Sequence, residues 1–264
     1  WFTVNNGTLI VKSSFIDNNS ATGGGGIYLE GVDRFEIYNS IISNNVVSSD
    51  GGGISTRSDT SIIVNSTIVS NEAGAGRYGS GIWLGGTNFS HHVLINSIFF
   101  GNYRYGDSYQ NNIALASGSL YAHNNFTGIA FGFSLLEDQN NIVSSISPFV
   151  DLPNNDFNLN NTTSAIGGGV NSLQIFGETI STLNYDYNNL ARPTPALSSP
   201  DIGAFESVYS STDIGCTDPL ACNYDANAII DDGSCILGNC VENITQNTFT
   251  ADIQSGIDVA SYGD

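Results

Sequence analysis

The sequence contains no methionine, and only 6 of its 264 residues are Lys or Arg against 25 Asp or Glu, a net charge of −19. Such a shortage of cations excludes nucleic acid as a partner, because phosphate recognition needs clustered bases, and Lys12, Arg34, Arg57, Arg77, Arg104 and Arg192 are scattered. No apolar run approaches the roughly 18 residues of a bilayer-spanning helix. A charged-then-apolar secretory start is missing as well. With Trp1 where an initiating Met would stand, the chain is expected to be a processed or excised piece of a longer protein. Cysteine is confined to Cys216, Cys222, Cys235 and Cys240, spaced C-x5-C-x12-C-x4-C. That spacing lacks the CxxC knuckle of a zinc site, and His91, His92 and His123 lie far upstream. Two disulfides stapling a small loop-rich module are the better account, with the pairing open, and they imply an oxidising, extracellular or periplasmic setting.

What fills the chain instead is Asn (32), Ser (33) and Gly (30), beside a hydrophobic fraction of 40%. The latter is enough for a core and too high for a disordered chain. A repeat organises it. SSFIDNN (13–19), NSIISNN (39–45), NSTIVSN (65–71) and NSIFFGN (96–102) align, placing Asn19, Asn45, Asn71 and Asn102 at one position with steps of 26, 26 and 31 residues. A second register ends at Ile27, Ile54, Ile82, Ile113 and Ile142, with steps of 27, 28, 31 and 29. Between them lie short β-branched runs such as LIV (9–11), FEI (35–37), SIIV (61–64) and VLI (93–95), without helical periodicity. Short parallel strands stacked turn on turn satisfy this pattern, since each turn buries its apolar residues against its neighbours. The Asn column then forms an amide ladder at the strand spacing of about 4.8 Å. The Gly pair before Ile27 and before Ile54 is expected to supply a left-handed corner, with the Ile pointing inward.

The alternation of F-x-x-N-like and GG-x-I-like motifs over residues 8 to about 145 resembles polymorphic outer-membrane-protein repeats and, more broadly, right-handed parallel β-helices of the pectin-lyase type. The resemblance implies an all-β solenoid of a kind found in adhesins, autotransported passengers and polysaccharide lyases. Further on, Phe149, Asp151, Asp156, Phe157, Leu159, Ser164 to Ile166, Gly168, Arg192, Pro193 and Asp201 to Glu206 match the closing segment called the choice-of-anchor Q domain. Gly167 departs from it, standing where an Asp is common, and the expected role of the segment is to cap the open solenoid end. DIGCTDPLACNYDANAIIDDGSC (213–235) is similar to acidic Cys modules of secreted proteins from marine bacteria, and its Asp218, Asp225, Asn227, Asp231 and Asp232 are oxygen ligands suited to Ca²⁺. TADIQSGIDVASYGD, with Ile253, Ile257 and Ala260 on one helical face, resembles the helix that opens β-helix domains. The expected organisation is solenoid coils over 1–145, a closing segment over 146–208, an acidic Cys-rich linker over 209–240 and the start of a second solenoid over 241–264.

A lyase or glycoside hydrolase on this fold needs carboxylates converging with a base. The positions equivalent to Lys12 are Tyr38, Val64, Ile95 and roughly His123, which form no such cluster, so no catalytic residue is assigned. The unusual feature is the corner loop after the Asn column. It is bland in the first two turns (SATGGGG, VVSSDGGG) but reads EAGAGRYGSG and YRYGDSYQNN in the next two. Stacking is expected to gather Arg77, Tyr78, Tyr103, Arg104, Tyr105, Asp107 and Tyr109 into a patch able to stack on sugar rings and fork to acidic groups of polysaccharide or cell-surface glycans. The expected function is surface display or adhesion, extracellular or associated with a bacterial outer membrane. A polysaccharide-degrading enzyme is the alternative.

Overall fold

The computed structural model describes residues 7–108, 110–238, 241–243 and 248–250. It divides into two compact units, Trp1–Asn160 with Ser164–Val208, and Asn161–Thr163 with Tyr209–Asp264. The larger unit contains an all-β parallel solenoid of about 4 turns. Its first face stacks Thr8–Lys12, Arg34–Tyr38, Thr60–Val64, His91–Ile95, Ser119–His123 and Glu137–Gln139. The second stacks Phe15–Asp17, Ile41–Ser43, Thr67–Val69, Ile98–Phe100, Phe126–Thr127 and Ile142–Val143. Ser20–Ala21, Val46–Val47, Glu72–Ala73 and Tyr103–Arg104 form the third, and Ile27–Glu30, Ile54–Arg57, Ile82–Leu84 and Ile113–Leu115 the fourth.

The strands are short because the corners come quickly, and polar residues make those corners. Between the first and second faces Ser13, Asn39, Asn65, Asn96, Asn124 and Asn140 are all left-handed, with φ of 44 to 54°. Between the second and third, Asn18, Asn44, Ser70 and Gly101 do the same. Asn tolerates this conformation better than other residues with a Cβ, so an Asn-rich chain can turn without Gly at every corner.

The amide ladder is present. Asn19, Asn45 and Asn71 each donate from Nδ2 to the Oδ1 of the next Asn in the column at 2.9 Å, and Asn102 continues to Asn112 at 2.8 Å. A second ladder runs beside it, in which the N–H of Ser14, Ser40 and Ser66 reaches the next Ser Oγ, and Ser97 passes to Asn125 and Asn125 to Asn141.

Two expectations are corrected. The Gly pairs before Ile27 and Ile54, and Ser80-Gly81 before Ile82, do not supply the left-handed residue, which is Gly24, Gly51 or Gly79 further upstream. They are small because turns touch there: a Cβ on Gly53 would stand 2.6 Å from Gly81 O and 3.0 Å from Asn71 Nδ2. Ile27, Ile54, Ile82 and Ile113 form one column of the fourth face. Ile142 does not extend it, pairing instead with Phe126 on the second face. The chain after His123 cuts the last turn short, so its final strands reach only the first two faces.

Inside the coil, Phe35, Ile37, Ile42, Ile54, Ile63, Ile68, Ile82, Leu84, Leu94 and Phe99 share one core, each fully buried. Phe131, Phe133 and Leu135 pack against it from the segment after the fifth first-face strand, closing that end. The segment 146–208 lies elsewhere, along the side of the stack. Its hairpin Phe149–Asp151/Asp156–Leu159 meets the second face through Phe149, edge-on to Phe100 at 6.3 Å. The hairpin Ser172–Ile175/Glu178–Ser181 covers the outer side of the first face, where Ile175 and Ile180 cluster with Ile62, Val64, Val93 and Ile95. Strands covered on both sides read as continuous apolar runs, which accounts for SIIV and VLI.

The corner Asn column is the rail for this docking. Nδ2 of Asn65 donates to Asp201 O (3.1 Å), that of Asn96 to Val170 O (2.7 Å), that of Asn124 to Gly168 O (2.9 Å), and Asn39 bonds Tyr185 O. At the centre of the segment, Arg192 is buried with Glu206 at 3.2 Å and donates to the carbonyls of Asp201, Gly203 and Ala204. Gly167 N–H donates to Asp201 Oδ1 at 2.7 Å, so the acidic contact at this point comes from Asp201.

The smaller unit pairs Ile214–Gly215 with Ile230–Asp231 in parallel and Val241–Asn243 with Thr248–Thr250 antiparallel. A disulfide joins Cys216 to Cys235, and Cys222 is disulfide-bonded as well. Cys240, Trp1 and the helix expected around Ile253, Ile257 and Ala260 lie outside the described residues.

Candidate functional site

The third face and the loop after it carry the Arg and Tyr residues. Tyr103 pairs with Glu72 and Arg104 with Ala73, so the fourth turn's loop sits directly on the third turn's. Tyr105 N–H holds Ala73 O at 2.8 Å, Arg77 N–H closes on Gly74 O at 3.0 Å, and Tyr78 N–H reaches Asp50 Oδ1 at 2.7 Å in the turn before. These backbone anchors present the side chains outward. Tyr78, Tyr103 and Tyr105 are 57%, 39% and 65% exposed, and Arg77 is exposed beside Tyr78.

Arg104 joins the group, its guanidinium 5.1 Å from the Tyr78 ring centre and 3.4 Å from Asp107 Oδ2. A guanidinium over an exposed ring is held by the ring quadrupole and keeps its positive charge for another anion, although Nε of Arg104 is buried. The structure thus brings Tyr78, Arg104 and Asp107 into contact, with Arg77, Tyr103 and Tyr105 on the same two loops. Tyr109 lies outside the described residues.

A cleft on the neighbouring fourth face was not anticipated. Tyr28, Ser55 and Trp83 form one column of that face, and Glu30 pairs with Arg57 beside it. Arg57 lies 5.2 Å from the Trp83 ring centre and 3.1 Å from Glu30 Oε1. Tyr28, Ser55, Arg57 and Trp83, with Thr22 and Asp50 from the corner loops, line a hollow of about 260 Å³. The signal was available: the residues after the four fourth-face Ile are Tyr28, Ser55, Trp83 and Ala114, so that a small side chain stands between two aromatic ones.

The column Lys12, Tyr38, Val64, Ile95 and His123 is realised in register, and Val64 and Ile95 lie beneath the hairpin at 172–181. His123 Nε2 meets Glu137 Oε2 at 3.0 Å at the far end. In the smaller unit Asp218, Asp225, Asp231 and Asp232 each accept the backbone N–H two residues on, at 2.8 to 3.0 Å, and Asn227 is bound to Asp225. They close local turns, and among the described residues no three His, Cys, Asp or Glu side chains converge as a metal site would require. Nor is any described helix long and apolar enough to cross a membrane. No protein-family description, no curated protein and no solved structure matches the chain.

Proposed function

We propose that this chain is a display solenoid of an extracellular or cell-surface protein, and that its third and fourth corner loops contact acidic glycans. The observation that carries the reading is Arg104 stacked on the exposed Tyr78 ring, with Arg77, Tyr103 and Tyr105 around it. In a chain of net charge −19, placing two of six bases on adjacent loops creates a local site for a carboxylate or sulfate that the surrounding field disfavours elsewhere. The exposed rings supply stacking surfaces for the sugar. The disulfide fits an oxidising setting.

Binding of the purified chain to an array of acidic glycans tests this. Arg104→Ala combined with Tyr105→Ala is expected to lower binding at least 10-fold, and unchanged binding overturns the reading. Incubation with alginate and polygalacturonate, followed by ultraviolet absorbance, tests the enzymatic alternative. A rise from the unsaturated product of β-elimination would replace display by lysis.

A further inference from the structure

Built into the fourth face is a second aromatic feature whose chemistry differs from that of the Arg and Tyr loops. Tyr28 and Trp83 stand two rungs apart, about 10 Å along the stack, and the rung between them carries only Ser55. Trp83 is seated: a Cβ on Gly85 would lie 2.4 Å from its ring, so the indole rests on the glycine backbone. Arg57 lies over the ring, 5.2 Å from its centre. A ring fixed in this way loses little freedom when a ligand arrives, which is the condition for a stacking platform.

The charges select the ligand. Arg57 is paired with Glu30, Tyr28 Oη donates to Glu30 Oε2 at 3.0 Å, and Asp50 places a carboxylate in the lining itself. A phosphate or uronate would meet the Asp50 carboxylate in the lining and an arginine already engaged by Glu30. A cation would meet the guanidinium beside the indole. A neutral ring with C–H faces for the aromatics and hydroxyls for Asp50, Ser55, Thr22 and Arg57 meets neither objection. The volume of about 260 Å³ is below the ~300 Å³ at which drug-sized pockets begin, and suits about one sugar residue. We infer that the Tyr28–Ser55–Trp83 cleft binds a neutral pyranose residue of a glycan. The inference rests on the glycan-contact reading and assigns it a separate subsite, linked to the loops through Asp50, whose Oδ1 receives the Tyr78 N–H.

Tryptophan fluorescence provides the test, in a Trp1→Phe background that leaves Trp83 as the sole indole of the two. The probes are the methyl glycosides of glucose, galactose and mannose, with methyl glucuronide as the anion and tetramethylammonium as the cation. A saturable change with at least one neutral glycoside is expected, half-complete on the order of 1 mM for so small a ligand. Ser55→Phe, which fills the hollow, and Gly85→Ala, which lifts the indole, are each expected to weaken it at least 10-fold, while Arg104→Ala with Tyr105→Ala leaves it unchanged. No saturable response to any neutral glycoside, a preference for either ion, or indifference to both cleft variants overturns the inference. If the cleft fails while acidic-glycan binding still depends on Arg104 and Tyr105, the display reading survives alone. Failure of both assays removes both.

Discussion

At the residue scale the decisive side chain is asparagine, used in two ways. In the buried ladder Asn71 accepts from Asn45 N–H and Nδ2 and donates to Ile42 O and Asn102 Oδ1, so it satisfies groups in two neighbouring turns. Asn71→Ala would strand several of them in a dry interior at about 1–3 kcal/mol each. The predicted loss, read as a shift in urea midpoint, is roughly 3–5 kcal/mol, against under about 1 kcal/mol for the exposed Asn19→Ala at the end of the column. Equal losses would sink the ladder argument. Glycine has a comparable role where turns touch. Gly53→Ala places a methyl 2.6 Å from Gly81 O and should cost about 1–3 kcal/mol. Gly132→Ala, with nothing within 4 Å, should stay within about 0.5 kcal/mol. The repeat spacing made the Asn ladder legible. The left-handed corner Asn, the residue before Ser40, Ser66 and Ser97, was not singled out, because its role depends on a segment far away in sequence.

At the scale of elements, the closing segment is a strap held by a buried charge cluster. Burial pushes the Asp201 carboxyl up to about 6 and that of Glu206 up to about 7, opposed by the nearby Arg192 guanidinium, whose own pKa burial lowers. Each carboxyl is therefore more easily protonated folded than unfolded. The stability this contributes is full below the ordinary carboxylate range and is lost as pH rises through the folded values. His92 works in the opposite direction: burial lowers it to about 4, so stability is lost as pH falls from about 6.5 toward 4. Comparing variants separates the two. Glu206→Gln should gain stability relative to the parent chain as pH rises from 4.5 to about 7, measured by denaturation at several pH values, and a flat difference would contradict the assignment. Arg192→Met, which leaves buried carboxylates without their cation, should destabilise by about 3–5 kcal/mol. The motif residues Arg192, Pro193 and Asp201 to Glu206 were recognisable in the sequence, but not the place of the strap along the side of the coil rather than over its end.

For the solenoid as a whole, stability is a sum over neighbouring turns, so the middle of the stack should be the last part to open. Hydrogen exchange is predicted to show strongest protection in the strands Thr60–Val64 and His91–Ile95, which have turns on both sides and the hairpin over them, and weaker protection in Thr8–Lys12 at one edge. Uniform protection would refute it. The sequence by itself determined the coil, because apart from the Asn102–Asn112 step and the shortened last turn its ladders and strand pairings join residues a nearly constant 26 to 31 positions apart, and a constant offset is visible as a repeat. Only the tertiary structure decided which side of that coil is open. Asn65 meets Asp201 across 136 residues and Asn96 meets Val170 across 74, offsets that occur once and leave no period to read. These single contacts cover the first face and leave the third and fourth exposed, so that the Arg and Tyr loops and the Trp83 cleft face solvent.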